Sequence, residues 1–200
     1  MNGGGFPEIV LPDTSGQPDV VLWVYSLAKQ QVLFTIPTSS LTSFVSDLVL
    51  ITTNDLDGDG LRDIVLVLED SFRLPPTTRI VNRAFSGLDG SILWEVDEVV
   101  VPLIGAISNV GDVNGDGVDD IASRFFSGTV VNILSGLDGS LILTLNDPSG
   151  TGDLRPAGDL DGDGFGDIID DTGNLDFFSG KDRSVFGSRP RAVGDGRLRS

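Results

Sequence analysis

The chain contains no cysteine and no histidine in 200 residues. Without cysteine there is no disulfide scaffold, thiolate nucleophile, zinc ribbon or iron–sulfur ligation. Without histidine a Ser-His-Asp triad is excluded, and the commonest general base and metal ligand is missing. Positive charge is scarce as well: 13 basic residues stand against 30 acidic ones, for a net charge of −17. Nucleic-acid binding needs a basic footprint and is not expected. An anionic membrane surface would repel the chain. Long apolar runs are absent too. The longest, Val99 to Ile107, is interrupted by Pro102 and falls far short of the ~20 residues of a membrane helix. The opening MNGGGFPEIV lacks a basic region followed by an apolar core, so it does not read as a signal peptide. Helical periodicity is missing throughout; Ser40 to Leu50 comes nearest to it.

What remains is a chain that is 40% hydrophobic and holds 26 glycines. The apolar residues fall in short packed runs, which argues against disorder despite the charge. The length suffices for a buried core. An excess of carboxylates suits hard cations such as calcium, or solubility. The absence of cysteine fits a reducing cytosol, or a secreted protein stabilised by other means.

Internal repetition organises the chain. Three segments read DLDGDGLRDI from Asp55, DVNGDGVDDI from Asp112 and DLDGDGFGDI from Asp159, with starts 57 and then 47 residues apart. Each is followed by a second signature: FSGLDGSILW from Phe85, LSGLDGSLIL from Leu134 and FSGKDRSVFG from Phe178. The order is acidic loop, strand, connection, strand, Ser-Gly turn, strand. An eroded copy is expected ahead of these. Thr14 to Val21, with Gly16 and Asp19, matches the second half of the acidic loop, and Tyr25 to Phe34 matches the Ser-Gly segment. The repeats then fall at about 1–44, 45–100, 101–148 and 149–191, and 192–200 is a tail or the opening of a further repeat.

Short β-rich runs supply the strands. Ile64 to Leu68 is continuously apolar, as for a strand covered on both faces. Ile80-Val81 with Phe85, Ser91 to Val96, and Val130-Val131 with Ile133-Leu134 read as further strands. Leu-Asp-Gly at 88–90 and 137–139 is hairpin chemistry. Units of this size with three or four strands cannot bury both faces alone. The expected fold class is all-β, a β-propeller-type array of about four blades; linear stacking as a solenoid fits the long periods less well.

The acidic loops carry the chemistry. Asp55, Asp57, Asp59 and Asp63, with the carbonyl of Leu61, offer oxygens converging on one point, and Gly60 permits the sharp turn. The second loop repeats this with Asp112, Asn114, Asp116, Asp120 and the Val118 carbonyl. The third uses Asp159, Asp161, Asp163, Asp167 and the Phe165 carbonyl. An EF-hand shares the early spacing but needs a glutamate at position twelve and flanking helices. Here that position holds Leu66, Ser123 and Asp170, and the last leaves only the third loop open to a dockerin-like reading. Magnesium, strictly octahedral, fits less well than calcium. Eleven of the 30 acids sit at these ligand positions, and three bound calcium ions bring the net charge from −17 to about −11. Asp119, Asp170 and Asp171 read as neighbours that strengthen the field without ligating.

This constellation resembles the FG-GAP and VCBS repeat family, the blades of the integrin α-subunit propeller. The three loops carry the resemblance, with Asn109-Val110-Gly111, Ala157-Gly158, and Ile104-Gly105 in the place of the family's Phe-Gly pair. The family's Gly-Ala-Pro is replaced by Ala122-Ser123-Arg124-Phe125, and the first repeat keeps only Asp13 and Asp19 of its acids. The resemblance implies a calcium-stabilised, non-catalytic propeller domain on a secreted or cell-surface protein, used in adhesion or in recognition of a protein or polysaccharide. Family propellers usually have seven blades, so about four units read as part of a larger array. Open terminal blades would expose apolar faces and strand edges, and self-association through them is expected.

The same residues fit other functions less well. A catalytic or accessory domain of a polysaccharide-degrading enzyme would need a carboxylate pair outside the repeat pattern, and none is evident. A purely structural spacer would bind nothing. Ser86-Gly87, Ser135-Gly136 and Ser179-Gly180 recur with the repeat and lack a nucleophile elbow's flanking glycine. Trp23 and Trp94 are expected in the core instead of on a sugar platform. Phe125-Phe126 and Phe177-Phe178 are expected to fill space between blades. Arg183, Arg189, Arg191, Arg197 and Arg199 suit a frayed terminus better than a docking tail.

Overall fold

A computed structural model describes residues 8–13, 21–37, 45–70, 78–100, 104–125, 130–146, 154–171 and 174–190. Among these residues there are fifteen strands and no helix. They form four antiparallel sheets, each a meander in chain order. The first sheet holds β1 (Glu8–Asp13), β2 (Val21–Ser26) and β3 (Gln31–Pro37). The second holds β4 (Val45–Thr52), β5 (Ile64–Asp70), β6 (Thr78–Phe85) and β7 (Ile92–Val100). The third holds β8 (Ile104–Gly111), β9 (Asp120–Phe125), β10 (Val130–Leu134) and β11 (Leu141–Asn146). The fourth holds β12 (Leu154–Gly158), β13 (Asp167–Asp170), β14 (Asn174–Phe178) and β15 (Val185–Pro190).

The sheets stack in sequence order because their strands are apolar on both faces. Along β5 the residues alternate between two cores. Ile64, Leu66 and Leu68 meet Leu22, Val24 and Ile36 of the first sheet. Val65 and Val67 meet Ile107 and Ile121 of the third. All five β5 side chains are at most 2% exposed, and each contributes about 1.5–3 kcal/mol by burial. A third cluster joins the third and fourth sheets through Val110, Val113, Val131, Ile168 and Phe178. Polar contacts cross the same joints. Ser123 Oγ donates to Asn82 Oδ1 at 3.3 Å, and buried Arg124 pairs with buried Asp170 at 3.4 Å.

Every repeat carries a bulge at the same place, one step before the Ser-Gly turn: between Val24 and Tyr25, Ala84 and Phe85, Ile133 and Leu134, and Phe177 and Phe178. The bulge aligns β2 with β6, β10 and β14, and β1 with β5, β9 and β13. This corrects the expected match in the first repeat. Residues 14–20 lie outside the described residues, but they connect β1 to β2, the place of 71–77 in the second repeat. An acidic loop would instead stand ahead of β1.

Three further expectations change. The segment Ser40 to Leu50 is not helical where it is described: β4 begins at Val45 and pairs with β5, Leu48 opposite Leu68 and Leu50 opposite Leu66. Long-range pairing decides a conformation that local pattern left weak. Trp94 is in the core, its Nε1 donating to the Gly136 carbonyl at 2.7 Å. Trp23 is not: Leu22 and Val24 point inward, and Trp23 between them lies on the outer face of an end sheet, 41% exposed. Phe178 fills the third core, while half-buried Phe177 faces outward against Phe186. Phe126 lies outside the described residues, as does the Phe125 side chain.

The hairpin turn at 137–139 shows how tightly the sheets meet. Gly139 holds φ +75, and a Cβ there would lie 2.7 Å from the Trp94 ring. Gly139→Ala should therefore destabilise by about 1–3 kcal/mol through backbone strain and overpacking. Urea unfolding measures it; an unchanged midpoint would show that Trp94 is not seated under this turn.

Candidate metal centre

Each acidic loop joins the first two strands of its sheet, β4–β5, β8–β9 and β12–β13. Its fold is written by short polar side chains that bond their own backbone. Asp55 Oδ1 accepts from the amides of Gly58 and Asp59 at 2.7 and 3.1 Å, and its Oδ2 accepts from Gly60 at 2.8 Å. Asp112 receives Gly115, Asp116 and Gly117 at 2.7, 3.1 and 2.9 Å. Asp159 receives Gly162, Asp163 and Gly164 at 2.7, 2.9 and 3.0 Å. Gly60 sits at φ +87 with nothing near its missing Cβ. The backbone angle, not space, demands glycine there. Burial acts against ionisation of Asp55, but the amides of Gly60, Gly58 and Asp59 together outweigh it and lower its pKa.

The third and fifth positions repeat the pattern. Asp57, Asn114 and Asp161 each accept from the amide two residues on, at 3.0, 2.8 and 3.1 Å. Asp59, Asp116 and Asp163 likewise accept from Leu61, Val118 and Phe165 at 2.7, 2.8 and 2.9 Å. The amides of Leu61, Val118 and Phe165 are thus engaged inside the loop. Desolvation, then the charges of Asp167, Asp163 and Asp159, raise the pKa of Asp161.

The closing aspartates do more than the spacing suggested. Asp63, Asp120 and Asp167 are fully buried. One oxygen of each holds the start of the loop: Asp63 accepts from Leu56 at 2.6 Å, Asp120 from Val113 at 2.8 Å and Asp167 from Leu160 at 2.7 Å. The other oxygen holds the Ser-Gly turn, through Gly87 at 2.8 Å, Gly136 at 3.1 Å and Gly180 at 3.3 Å. Sequence reasoning took these glycines only as hairpin residues; their recurrence in phase with the ninth loop position was the available signal. Burial raises the pKa of Asp63, opposed by the Gly87 and Leu56 amides and reinforced by the charges of Asp57 and Asp59. Burial likewise pushes Asp120 up to about 6, opposed by the Gly136 and Val113 amides and reinforced by Asp116.

The three extra acids also have structural partners of their own. Asp119 Oδ2 accepts from Asn109 Nδ2 at 2.9 Å and from Asn54 Nδ2, tying the third repeat to the second. Asp170 is buried against Arg124, and Asp171 lies 3.7 Å from Arg155.

The carboxylates of Asp55, Asp57 and Asp63 bring oxygens within 4.8 Å of one another, as do those of Asp159, Asp161 and Asp167. Two oxygens on opposite sides of a calcium ion stand about 4.8 Å apart, from a bond length of ~2.4 Å. The spread and the all-oxygen donor set therefore fit a hard cation. In the second loop Asn114 occupies the third position and donates its Nδ2 to Asp116 at 2.9 Å. That amide must turn its oxygen inward to serve a cation.

No family model and no curated protein matches the chain. Among solved structures, it is similar to the V. cholerae biofilm matrix protein Bap1, with 25% identity and a TM-score of 0.43 over 76% of this chain and 27% of that one. The chain thus spans about a quarter of Bap1. It is also similar to Kluyveromyces lactis Hsv2, at 14% identity and TM-score 0.42 over 96% of this chain and 69% of that one. A complex of KlAtg21 with the coiled-coil of AgAtg16 aligns at 13% identity and TM-score 0.46, over 87% and 53% of the two chains.

The two kinds of loop aspartate should separate by mutation. Asp120→Asn turns an amide nitrogen toward a backbone donor and costs about 1–3 kcal/mol for the unsatisfied group. Its loss of thermal midpoint should appear in chelator already, before any effect on the calcium increment. Asp161→Asn removes a charge repelled by three neighbours, so it should hold or raise the midpoint in chelator and shrink the increment from calcium without abolishing it, because Asn114 fills the same position in the second loop. Equal behaviour of the two variants in both buffers would contradict this division.

Proposed function

We propose that the chain is a calcium-organised, non-catalytic repeat module of a secreted or cell-surface protein. Its four blade-sized sheets form a propeller-type array and present a rigid rim for recognition of a protein or polysaccharide. The observation that carries this reading is the recurrence of one hydrogen-bonded loop frame three times, with converging carboxylates in the first and third loops. The loops share one edge of the stack. The third loop touches the second directly, the Gly166 amide donating to the Asp112 carbonyl at 2.9 Å. The FG-GAP and VCBS resemblance of the loop sequences points the same way.

The ligands in each site are the first, third, fifth and ninth side chains and the seventh carbonyl. A calcium ion there would offset the mutual repulsion of the carboxylates and fix the first two strands of the sheet, coupling metal binding to folding. Both converging carboxylate groups among the described residues lie in the repeated frame, which supports binding over catalysis.

Thermal unfolding with calcium, with magnesium and with chelator tests the proposal. Calcium at about 100 times its Kd should add about 2.7 kcal/mol per site, and each kcal/mol should raise the midpoint by roughly 2–4 °C in a chain of this size. Magnesium should give a smaller shift. Equal midpoints in calcium and chelator would overturn the metal assignment.

A further inference from the structure

The joint between the second and third sheets combines two contacts, and each of them recurs at one neighbouring joint. The second loop residue reaches forward to the next repeat's Ser-Gly turn. Leu56, 2% exposed, approaches Gly136, and Val113, fully buried, approaches Gly180. The next repeat's hairpin turn in turn lies on the last strand of the repeat before it. Gly90 sits against Phe34 and Ile36 of β3, and Gly139 against Trp94 and Val96 of β7. A small turn residue thus rests on a large strand residue.

Among the described residues, the two ends of the stack carry complementary halves of one such joint. Leu160 stands where Leu56 and Val113 stand and is 53% exposed; Leu27 stands in the place of Gly136 and Gly180 and is 46% exposed. The second contact is reversed in size. Gln30, with φ 52, holds the turn position of Gly90 and Gly139. On β15 the place of Trp94 is taken by Gly187, and a hollow of about 370 Å³ opens beside it, lined by Leu160, Leu175, Phe177, Phe186 and Arg189. A long side chain at this turn position recurs in the fourth repeat, where exposed Arg183 also holds a positive φ of 69. The outer face of the first sheet is also apolar, with Ile9, Leu11, Trp23 and Val32 between 37 and 48% exposed.

We propose that the outer face of the fourth sheet receives the outer face of the first sheet of a second copy, so that copies join head to tail in the sense in which repeats join within one chain. Gln30 of the incoming copy enters the hollow beside Gly187, where Arg189 offers donors to its amide oxygen. Leu160 packs on Leu27 of the incoming copy. The contact is heterologous, so it propagates into open chains or closes into a ring. It does not depend on the recognition role proposed above.

Sedimentation velocity over a concentration series, in millimolar calcium, tests the joint. The native protein should show a weight-average mass rising above that of one chain. Leu27→Asp and Leu160→Lys each alter one exposed side chain on opposite ends, and each alone should weaken association at least ~10-fold. Mixing the two variants restores one native joint, between the fourth sheet of the Leu27→Asp copy and the first sheet of the Leu160→Lys copy. The mixture should therefore associate where neither variant does, which also shows that both are folded. A native protein that stays monomeric, variants that still associate, or a mixture that stays monomeric would each overturn the proposal. A dimer formed by one face on itself would give the second result, since the variant altered at the opposite face would still associate.

Discussion

A buried aspartate that holds two distant turns together is the interaction on which the repeat depends. In each of the last three repeats one carboxylate oxygen takes an amide from the start of the acidic loop. The other takes the amide of the Ser-Gly turn, 24, 16 or 13 residues further on. The chain between these anchors varies in length, yet its ends are fixed at the same place in every sheet. Without such donors a carboxylate could not be buried at this depth, since an unpaired one costs several kcal/mol. Clamp, loop and turn are therefore specified together.

The stack follows from that clamp. Fixing the loop fixes its second residue, and in the second and third repeats that residue is apolar and buried in the next joint. Fixing the Ser-Gly turn fixes the hairpin that covers the preceding sheet. The polar frame at one edge and the apolar joints across the faces are thus consequences of one arrangement. The remaining carboxylates of the loop crowd each other, and a cation would relieve that repulsion while leaving the clamp in place.

Much of this was legible in the residues. The phase of the three acidic loops, the strand at Ile64 to Leu68 and the Leu-Asp-Gly turns all rest on local chemistry: glycine where φ is positive, aspartate where amides need acceptors, β-branched runs where both faces are covered. What was misread depends on neighbours distant in the chain. Trp23 has the local pattern of a buried residue but lies on an end face. Val45 to Thr52 becomes a strand by pairing with β5. Asp119 and Asp170 read only as additions to a metal field, because the partners that also hold them, Asn54 and Arg124, are 65 and 46 residues away.

The sequence by itself determined the repeat, the loop frame and the all-β class, because each is set by side chains bonding or shielding backbone within a few positions. Tertiary structure decided the rest. It assigned the ninth aspartate its second partner, aligned the first repeat through its bulge, and made Gly139 the seat for Trp94. It also left Leu160 and Leu27 exposed at opposite ends. Those outcomes turn on which sheet faces which. That is set by packing across faces brought together only when the sheets stack, and no local spacing encodes it.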